Sequence, residues 1–420
     1  MVRESYKEVK LIGQSVKIPE EWPIKELDKY IKVLSGYSFS SDQFNNEEKG
    51  LPLIRIRDLQ ESKIETYYNG EYDKKYIIDN GDILIGMDGN FYVVKWKNDS
   101  ALLNQRVCKV DAVDDILDQN YLYYRIEPEI EKIHRITPAT TVKHLSIKDI
   151  KRIRIPVPSI LEQKKIADIL SSVDEAIAKT EEIINQNKEL KKGLMQELLT
   201  KGIGHSEFKE VRLGVKKLEI PVEWEIKEIG KLATIKRGAS PRPISDPKWF
   251  DENSNVGWVR ISDISRTGKY LFETEQYLSE KGIAKSRLAN TGDLILSICA
   301  TLGKPSILKI NACIHDGLVG FFDIKDNIDT EYLYYFLLKI RPNFEAKRQT
   351  GTQANLNSTL VRRTQVLVPP LEEQKKIASI LSSLDAKIEK EEEYKAELEQ
   401  LKKGLMQKLL TGEVRVKVNN

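Results

Sequence analysis

The chain is poor in cysteine: Cys108, Cys299 and Cys313 are an odd number at spacings that match neither a zinc site nor a disulfide framework. They read as small, reduced, buried side chains. Nowhere do 18 apolar residues run together, and the first ten residues, MVRESYKEVK, hold no apolar segment. Neither a membrane span nor a signal peptide is expected, and the expected location is the cytoplasm. Excess charge is also missing, since 67 Lys and Arg against 64 Asp and Glu leave a net charge of only +3. A protein that neutralised many phosphates unaided would usually be more basic, so phosphate binding here would need charge supplied from elsewhere.

Signatures of catalysis are equally scarce. No N/D-P-P-Y/F motif for amino-methylation is present, and Gly202-Ile203-Gly204 lacks the third glycine of a dinucleotide fingerprint. Gly303-Lys304 is followed by Pro305, which rules out a P-loop. The four histidines, His134, His144, His205 and His315, are too scattered for a metal cluster; at His315-Asp316, close to Cys313, a metal or catalytic role competes with a turn or contact role. Carboxylate-plus-lysine nuclease constellations are too short to exclude in a chain with 64 acidic residues.

What the sequence does contain is a repeat. Residues 158–200 align without a gap to residues 369–411, with 26 of 43 positions identical at an offset of 211. The offset continues upstream, where Gly81-Asp82-Ile83 matches Gly292-Asp293-Leu294 and Tyr121-Leu122-Tyr123-Tyr124 matches Tyr332-Leu333-Tyr334-Tyr335. Near the start it falls to 202, pairing Ile18-Pro19 and Trp22 with Ile220-Pro221 and Trp224. Each half is one variable domain followed by one nearly invariant helix. The segment Phe208-Lys209-Glu210-Val211-Arg212-Leu213 after the first helix is echoed by Tyr6-Lys7-Glu8-Val9-Lys10-Leu11 at the N-terminus. The repeat unit is thus cut in cyclic order, which predicts neighbouring termini and a pseudo-two-fold relation between the halves.

Apolar residues at Ile166, Leu170, Val173, Ile177, Ile184, Leu190, Leu194 and Leu198 make one stripe on a charged helix, as do Ile377, Leu381, Leu384, Ile388, Leu398, Leu401, Leu405 and Leu409. Some 40 residues make a rod of roughly 60 Å, which needs a partner along its length. The two rods are expected to pack antiparallel, with the two EQKKIA segments near one another. Gly193 and Gly404 interrupt both at the same register, where each costs about 1 kcal/mol relative to Ala, and a close backbone approach would explain them. Identity extends to polar positions that a helix pair does not require. Gln163, Lys164 and Lys165, with Gln374, Lys375 and Lys376, are therefore candidate partner-binding residues.

The variable domains read as mixed α and β, with short β-branched runs at Leu53-Ile54-Arg55-Ile56, Asp82-Ile83-Leu84-Ile85 and Ile153-Arg154-Ile155-Pro156-Val157. Basic and aromatic residues mix in their loops. Tyr37 follows Gly36; Arg55 and Arg57 are expected to alternate on a strand, with Arg260 near the equivalent place; Arg237 precedes a Pro-rich stretch that contains Arg242. Arginine suits guanine, and Gln and Asn suit adenine, so these residues are candidate base readers, with a solvated surface role as the alternative for each. The segment 140–146, with Lys143 and His144, corresponds to 351–357, with Gln353 and Asn355. It forms either a loop facing a nucleic acid or an ordinary capping turn.

These residues bring out a resemblance. The pattern P-x-L-x-EQ-x-x-IA-x-IL-x-x-x-D from Pro369, its variant from Pro158, the following LKKGLMQ-x-LLT, the IP-x-x-W that opens each domain and the GD-[IL]-[IL] strand resemble the specificity (S) subunits of type I restriction-modification systems over essentially the whole chain. The resemblance implies an α+β fold in which two mixed α/β target recognition domains are joined by two long antiparallel coiled-coil helices in a pseudo-two-fold cyclic arrangement. The expected divisions are recognition domain 1 over 1–157, helical region 1 over 158–200, a linker over 201–216, recognition domain 2 over 217–368, helical region 2 over 369–411 and a tail over 412–420. It further implies that each domain reads one half of a split, asymmetric site in double-stranded DNA while the helices set the gap. Two methyltransferase (M) subunits would dock on the helical regions, and motor-nuclease (R) subunits would join that core. No cofactor is expected on this chain, AdoMet, ATP and Mg²⁺ being used by the partner subunits. Leu103-Asn104-Gln105-Arg106 has Ile314-His315-Asp316-Gly317 as its second copy, so the DNA-binding role assigned to Gln105 and Arg106 need not recur there. Two other readings stand beside this one: a self-contained DNA methyltransferase or nuclease, and a coiled-coil adaptor that does not touch DNA.

Overall fold

The structure is a computed structural model that describes residues 5–11, 14–60, 64–113, 115–138, 142–214, 216–349 and 356–417. It forms two compact units, Met1–Glu181 with Glu393–Asn420, and Glu182–Glu392. The division falls in the middle of both long helices, Ile160–Lys201 and Leu371–Thr411. Each unit therefore owns one variable domain, the head of one helix and the tail of the other.

Unit 1 opens with an antiparallel hairpin, Tyr6–Leu11 on Gln14–Pro19, in which Tyr6 lies opposite Pro19. Strand Ile24–Glu26 pairs with Arg154–Pro156. Between them, a four-stranded sheet runs in the order Val93–Lys95, Ile83–Gly86, Val107–Ala112, Ile31–Ser35. A second sheet of five short strands includes Leu51–Ile54 and Ala101–Leu103 in parallel. The Ile83–Gly86 strand is buried along its whole length, which explains why it reads as a continuous apolar run and not as an alternation. Helix Gln119–Ile136 starts where the Asp118 carboxylate accepts the Tyr121 N–H at 2.9 Å. It shares a core with the helix heads and tails through Tyr121, Tyr124, Ile166, Leu170, Leu409 and Leu410.

Unit 2 repeats this order with different contents. Its hairpin pairs Phe208–Leu213 with Lys216–Pro221, Phe208 opposite Pro221, as the cyclic echo predicts. Strand Glu225–Glu228 pairs with Gln365–Val368. The larger sheet here has five strands, in the order Thr234–Arg237, Leu318–Phe322, Leu294–Ser297, Pro305–Leu308, Tyr270–Leu271, and the smaller one has three. Helix Thr330–Gln349 takes the place of Gln119–Ile136.

The repeated motifs turn out to be the bolts between each domain and its helix head. Gln163 is fully buried: its Oε1 accepts the Asp118 N–H at 2.9 Å, and its Nε2 donates to Ile116 O and Pro158 O, both at 2.9 Å. Gln374 does the same with the Asp329 N–H, Asn327 O and Pro369 O, at 2.9, 3.0 and 2.8 Å. The indole of Trp22 donates to Glu162, and that of Trp224 to Glu373. Tyr124 donates to Asp174 at 2.7 Å, Tyr335 to Asp385 at 2.6 Å. Buried polar groups must be paired, so these side chains cannot drift even as the domains around them diverge. Gln163 and Gln374 are accordingly not available to a partner, which corrects the expectation for those two positions; Lys164, Lys165, Lys375 and Lys376 are exposed.

Within each unit the helix head and tail run antiparallel. In unit 1 Lys402 pairs with Asp174 at 2.8 Å and Lys395 with Glu181 at 3.2 Å; in unit 2 Lys188 pairs with Glu392 at 2.7 Å, and Lys191 with Asp385. An antiparallel pair brings each EQKKIA head onto the LKKGLMQ tail of the other helix, as Ile377, Ala378 and Leu381 on Leu194, Met195 and Leu198 show. The two heads belong to different units. Leu190 and Leu401 also leave the predicted stripe, being half exposed, and in the first helix buried Thr180 and Asn187 occupy interface positions at heptad spacing. Among the described residues nothing comes within 4 Å of a Cβ built on Gly193 or Gly404, so no close approach among them explains these glycines.

The ends meet as the cyclic order predicts. Gly412, with φ of 70°, ends the second helix, and its carbonyl accepts from Tyr6 at 3.2 Å. Arg415 then reaches Glu162 through Nε at 2.7 Å and Nη2 at 3.1 Å and also holds Glu21. In unit 2, Gly202 (φ 69°) and His205 do the same with Glu373, His205 Nε2 lying 2.8 Å from its Oε1. Among the described residues no helix is long and apolar enough to cross a membrane.

Candidate nucleic-acid interface

Each domain gathers its basic and aromatic residues where one strand end crosses a turn of the next segment. In domain 1, Gly36 leaves strand Ile31–Ser35 with its N–H on Val107 O at 2.9 Å. A Cβ at this position would lie 2.0 Å from Asn104 O, so only glycine allows the crossing. Tyr37 then bonds Leu103 O through its N–H at 2.9 Å and accepts the Gln105 N–H at 2.8 Å. Its half-exposed ring rests on Phe39 and Tyr76, with centroids 5.2 and 5.1 Å away. Gln105 is exposed, and among the described residues its side-chain amide has no hydrogen-bond partner. Arg106 follows with φ of 72°.

Arg106 and His144, far apart in sequence, meet on one carboxylate, Asp88. Asp88 Oδ2 holds the Arg106 guanidinium, and Oδ1 lies 2.6 Å from His144 Nδ1. Burial pushes the Asp88 carboxyl up, but the hydrogen bonds from His144 and Arg106 outweigh it and hold it below the usual range. Lys143 adds a half-buried ammonium whose Nζ donates to His134 O at 2.6 Å.

Arg55 and Arg57 are placed otherwise than the alternating strand predicts. The strand stops at Ile54 and a 3₁₀ turn, Ile56–Leu59, begins, with the Arg55 N–H on Asp58 at 2.8 Å. A carboxylate that caps the turn ends the strand, and with it the alternation. Arg55 packs inward on Thr66, while Arg57, more than half exposed beside Asp58, stays open to solvent. Arg260 stands at the equivalent cap, its N–H on Asp263 at 2.7 Å.

Domain 2 builds the same crossing from other side chains. Gly238 bonds Leu318 O at 2.9 Å, and a Cβ there would lie 2.1 Å from His315 O. Around it, Arg237 Nε donates to Asp316 O at 2.5 Å and Arg242 Nη2 to the Asp316 carboxylate at 2.7 Å. Arg287, which the sequence reading passed over, donates to Arg237 O at 2.7 Å. His315 is pushed below its usual range, first by burial and then by Arg260, Arg242 and Arg237, with Asp316 opposing. Its Nδ1 accepts the Gly317 N–H at 2.9 Å. Cys313 is buried beside Trp258, and among the described residues no group of three His, Cys, Asp or Glu side chains is placed to hold a metal ion. Cys299, expected to be buried, is exposed at the position equivalent to Asp88; Cys108 and Cys313 are buried as expected. Gln353 and Asn355 lie outside the described residues, as do Thr140 and Thr141.

Tyr37, Gln105, Arg106, Lys143 and His144 thus converge in domain 1, and Arg237, Arg242 and Arg260 in domain 2. Such faces can donate to phosphates and base edges. Asp88 escaped the sequence reading because an acid in a Met-Asp-Gly turn carries no signal of its own; its partners are 18 and 56 residues away.

The family described as "Type I restriction modification DNA specificity domain" matches residues 19–189 and 221–400. The chain is 28% identical to the putative type I restriction enzyme MjaX specificity subunit of Methanocaldococcus jannaschii, covering 95% of each chain. It is 28% identical to the MjaVIII specificity subunit of the same organism over 99% of this chain and 97% of that one. With the EcoBI specificity subunit of Escherichia coli the identity is 26%, over 89% of this chain and 81% of that one. A crystal structure of a type I restriction-modification S subunit from M. genitalium matches in fold, with a TM-score of 0.63 at 16% identity over 95% of this chain and 97% of that one. With the family matched across both variable domains and into both long helices, the chain belongs to the type I restriction-modification DNA specificity subunits.

Proposed function

We propose that this chain reads a bipartite, asymmetric site in double-stranded DNA, one half through each domain, while its two long helices set the spacing between the halves. The observation that carries this is the contrast within one chain: two crossings of identical backbone design, at Gly36 and Gly238, surrounded by unlike basic and aromatic side chains. Unlike readers suit unlike half-sites.

The helices also provide matched docking faces. Unit 1 exposes Lys164 and Lys165 with Leu401, Lys403, Gly404 and Gln407; unit 2 exposes Lys375 and Lys376 with Leu190, Lys192, Gly193 and Gln196. Two equal sets fit two copies of one partner, a methyltransferase subunit, and the open space over Gly193 and Gly404 admits a close backbone approach from it. Phosphate charge is then shared with the partners, in keeping with a net charge of +3. In this reading AdoMet, ATP and Mg²⁺ serve the methyltransferase and motor-nuclease subunits, and the complex works in the cytoplasm, where its DNA lies.

The test is reconstitution. The chain alone is expected neither to methylate nor to cleave DNA, and with methyltransferase subunits added it is expected to direct adenine methylation to one split sequence. Methylation with the same sequence preference in its absence would sink the reading. A footprint checks the interface: bound DNA is expected to slow maleimide alkylation of Cys299 about elevenfold at ten times its Kd. Cys108 and Cys313 stay unreactive, since burial pushes their thiols up to about 12 and about 11.

A further inference from the structure

Asp88 sits behind the two basic side chains that it holds. Its side chain is 13% exposed, whereas those of Arg106 and His144 are 64% and 65% exposed. Three segments are stitched together at this point by main-chain bonds. Met87 donates to Arg106 O at 2.8 Å, Leu145 to Met87 O at 2.7 Å and Gly89 to Lys143 O at 2.9 Å, while Asp88 and His144 form an antiparallel bridge. Arg106 is held in the left-handed region, which a non-glycine residue occupies at a cost of about 1 kcal/mol or more.

The chemistry of the carboxylate decides where the proton lies. An ionised carboxylate only accepts hydrogen bonds, so the proton between Asp88 and His144 must reside on His144 Nδ1. In the neutral form of this exposed imidazole Nε2 is then the acceptor. Beside it, the Arg106 N–H groups not used by Asp88 remain as donors. The exposed edge of domain 1 is therefore an acceptor next to a cluster of donors.

Domain 2 is furnished differently. Cys299 replaces the aspartate, and His315, which stands where domain 1 has Asn104, has its Nδ1 2.9 Å from the Gly317 nitrogen and 3.0 Å from Asp316 Oδ1. The same backbone crossing thus serves two readers that carry different polar side chains.

We propose that Asp88 is a positioning residue that sets the polarity of the domain 1 reading edge, so that His144 Nε2 accepts from an exocyclic amine, adenine N6 or cytosine N4, beside the Arg106 donors. In the major groove only these two bases present an amine, whereas guanine and thymine present a carbonyl at the corresponding place. The inference rests on the DNA-reading function proposed above and adds the chemical class of base that one position of one half-site must hold.

Asp88→Asn tests it in the full chain with its methyltransferase partners, read by mapping methylated adenines genome-wide. The asparagine can keep an oxygen on Arg106 while its amide donates to His144 Nδ1, which moves the imidazole proton to Nε2. At one base pair of one half-site, preference for an amine-bearing base is expected to fall by about tenfold or more and to shift toward a carbonyl-bearing base. His144→Ala, a change at an exposed residue, is expected to relax the same base pair without reversing it. The other half-site should be unchanged in both variants, which also reports an intact fold. Unchanged sequences in both variants, changes spread over both halves, or an inactive Asp88→Asn beside a His144→Ala of wild-type sequence would each overturn the proposal and leave DNA reading standing. A methylation pattern indifferent to loss of the whole chain would overturn the function and this inference together.

Discussion

Gln374→Leu is expected to lower the melting temperature of unit 2 by about 10 °C, while Lys375→Ala, one residue on, leaves it unchanged within about 2 °C. The leucine keeps the volume but orphans three backbone groups, the Asp329 N–H and the carbonyls of Asn327 and Pro369. Leaving such groups unpaired costs about 1–3 kcal/mol each, so the loss is about 3 kcal/mol or more, and each kcal/mol moves the midpoint of a domain this size by about 2–4 °C. Lys375 is exposed and among the described residues pairs with Glu372 at 2.9 Å, a contact worth little. Its loss is expected instead to weaken capture of the methyltransferase partner, measured by titration of the complex. Differential scanning calorimetry of both variants decides the matter: equal stability would show that the buried glutamine is not a bolt, and an unstable Lys375→Ala would show that the lysine is not a free face.

Inserting four residues into both helices, after Glu181 and after Glu392, is expected to lengthen the spacer between half-sites by about one to two base pairs and to leave both half-sites intact. Four residues add about 6 Å of helix, against about 3.4 Å per base pair of DNA. Both cuts fall at the boundary between the units, ahead of the stretch 183–189 that shares no identity with 394–400. There an insertion spares the repeated heads and tails that anchor the domains. Two insertions keep the antiparallel register that Lys395–Glu181 and Lys188–Glu392 report; a single one breaks it and is expected to abolish methylation. An unchanged spacer in the doubly lengthened chain would remove the helices' role as a ruler.

The repeat was legible because it is written in local patterns. Helix stripes at steps of three and four, the Tyr-Leu-Tyr-Tyr and Gly-Asp copies and the hairpin echo need only neighbours along the chain to be recognised, and each marks a real element. The misreadings have one physical source. Whether Gln163 faces inward and whether Arg55 lies on a strand depend on contacts with residues that the pattern does not contain: Asp118 for the first, Asp58 for the second. Identity between the copies marked Gln163 as constrained. It could not say whether the constraint came from inside the chain or from a partner.

From residues alone came the two-domain, two-helix plan and its cyclic order, since period and self-similarity are properties of the chain itself; the DNA-specificity family came from the resemblance of its motifs. Tertiary structure alone decided which repeated polar residues are buried bolts and which are open faces. It also decided which scattered basic side chains share one carboxylate. Those answers require groups tens of residues apart to be brought within 3 Å, as Asp88 and His144 are at 2.6 Å. At that distance an acceptor-only carboxylate dictates where a proton lies, and no spacing along the chain encodes that.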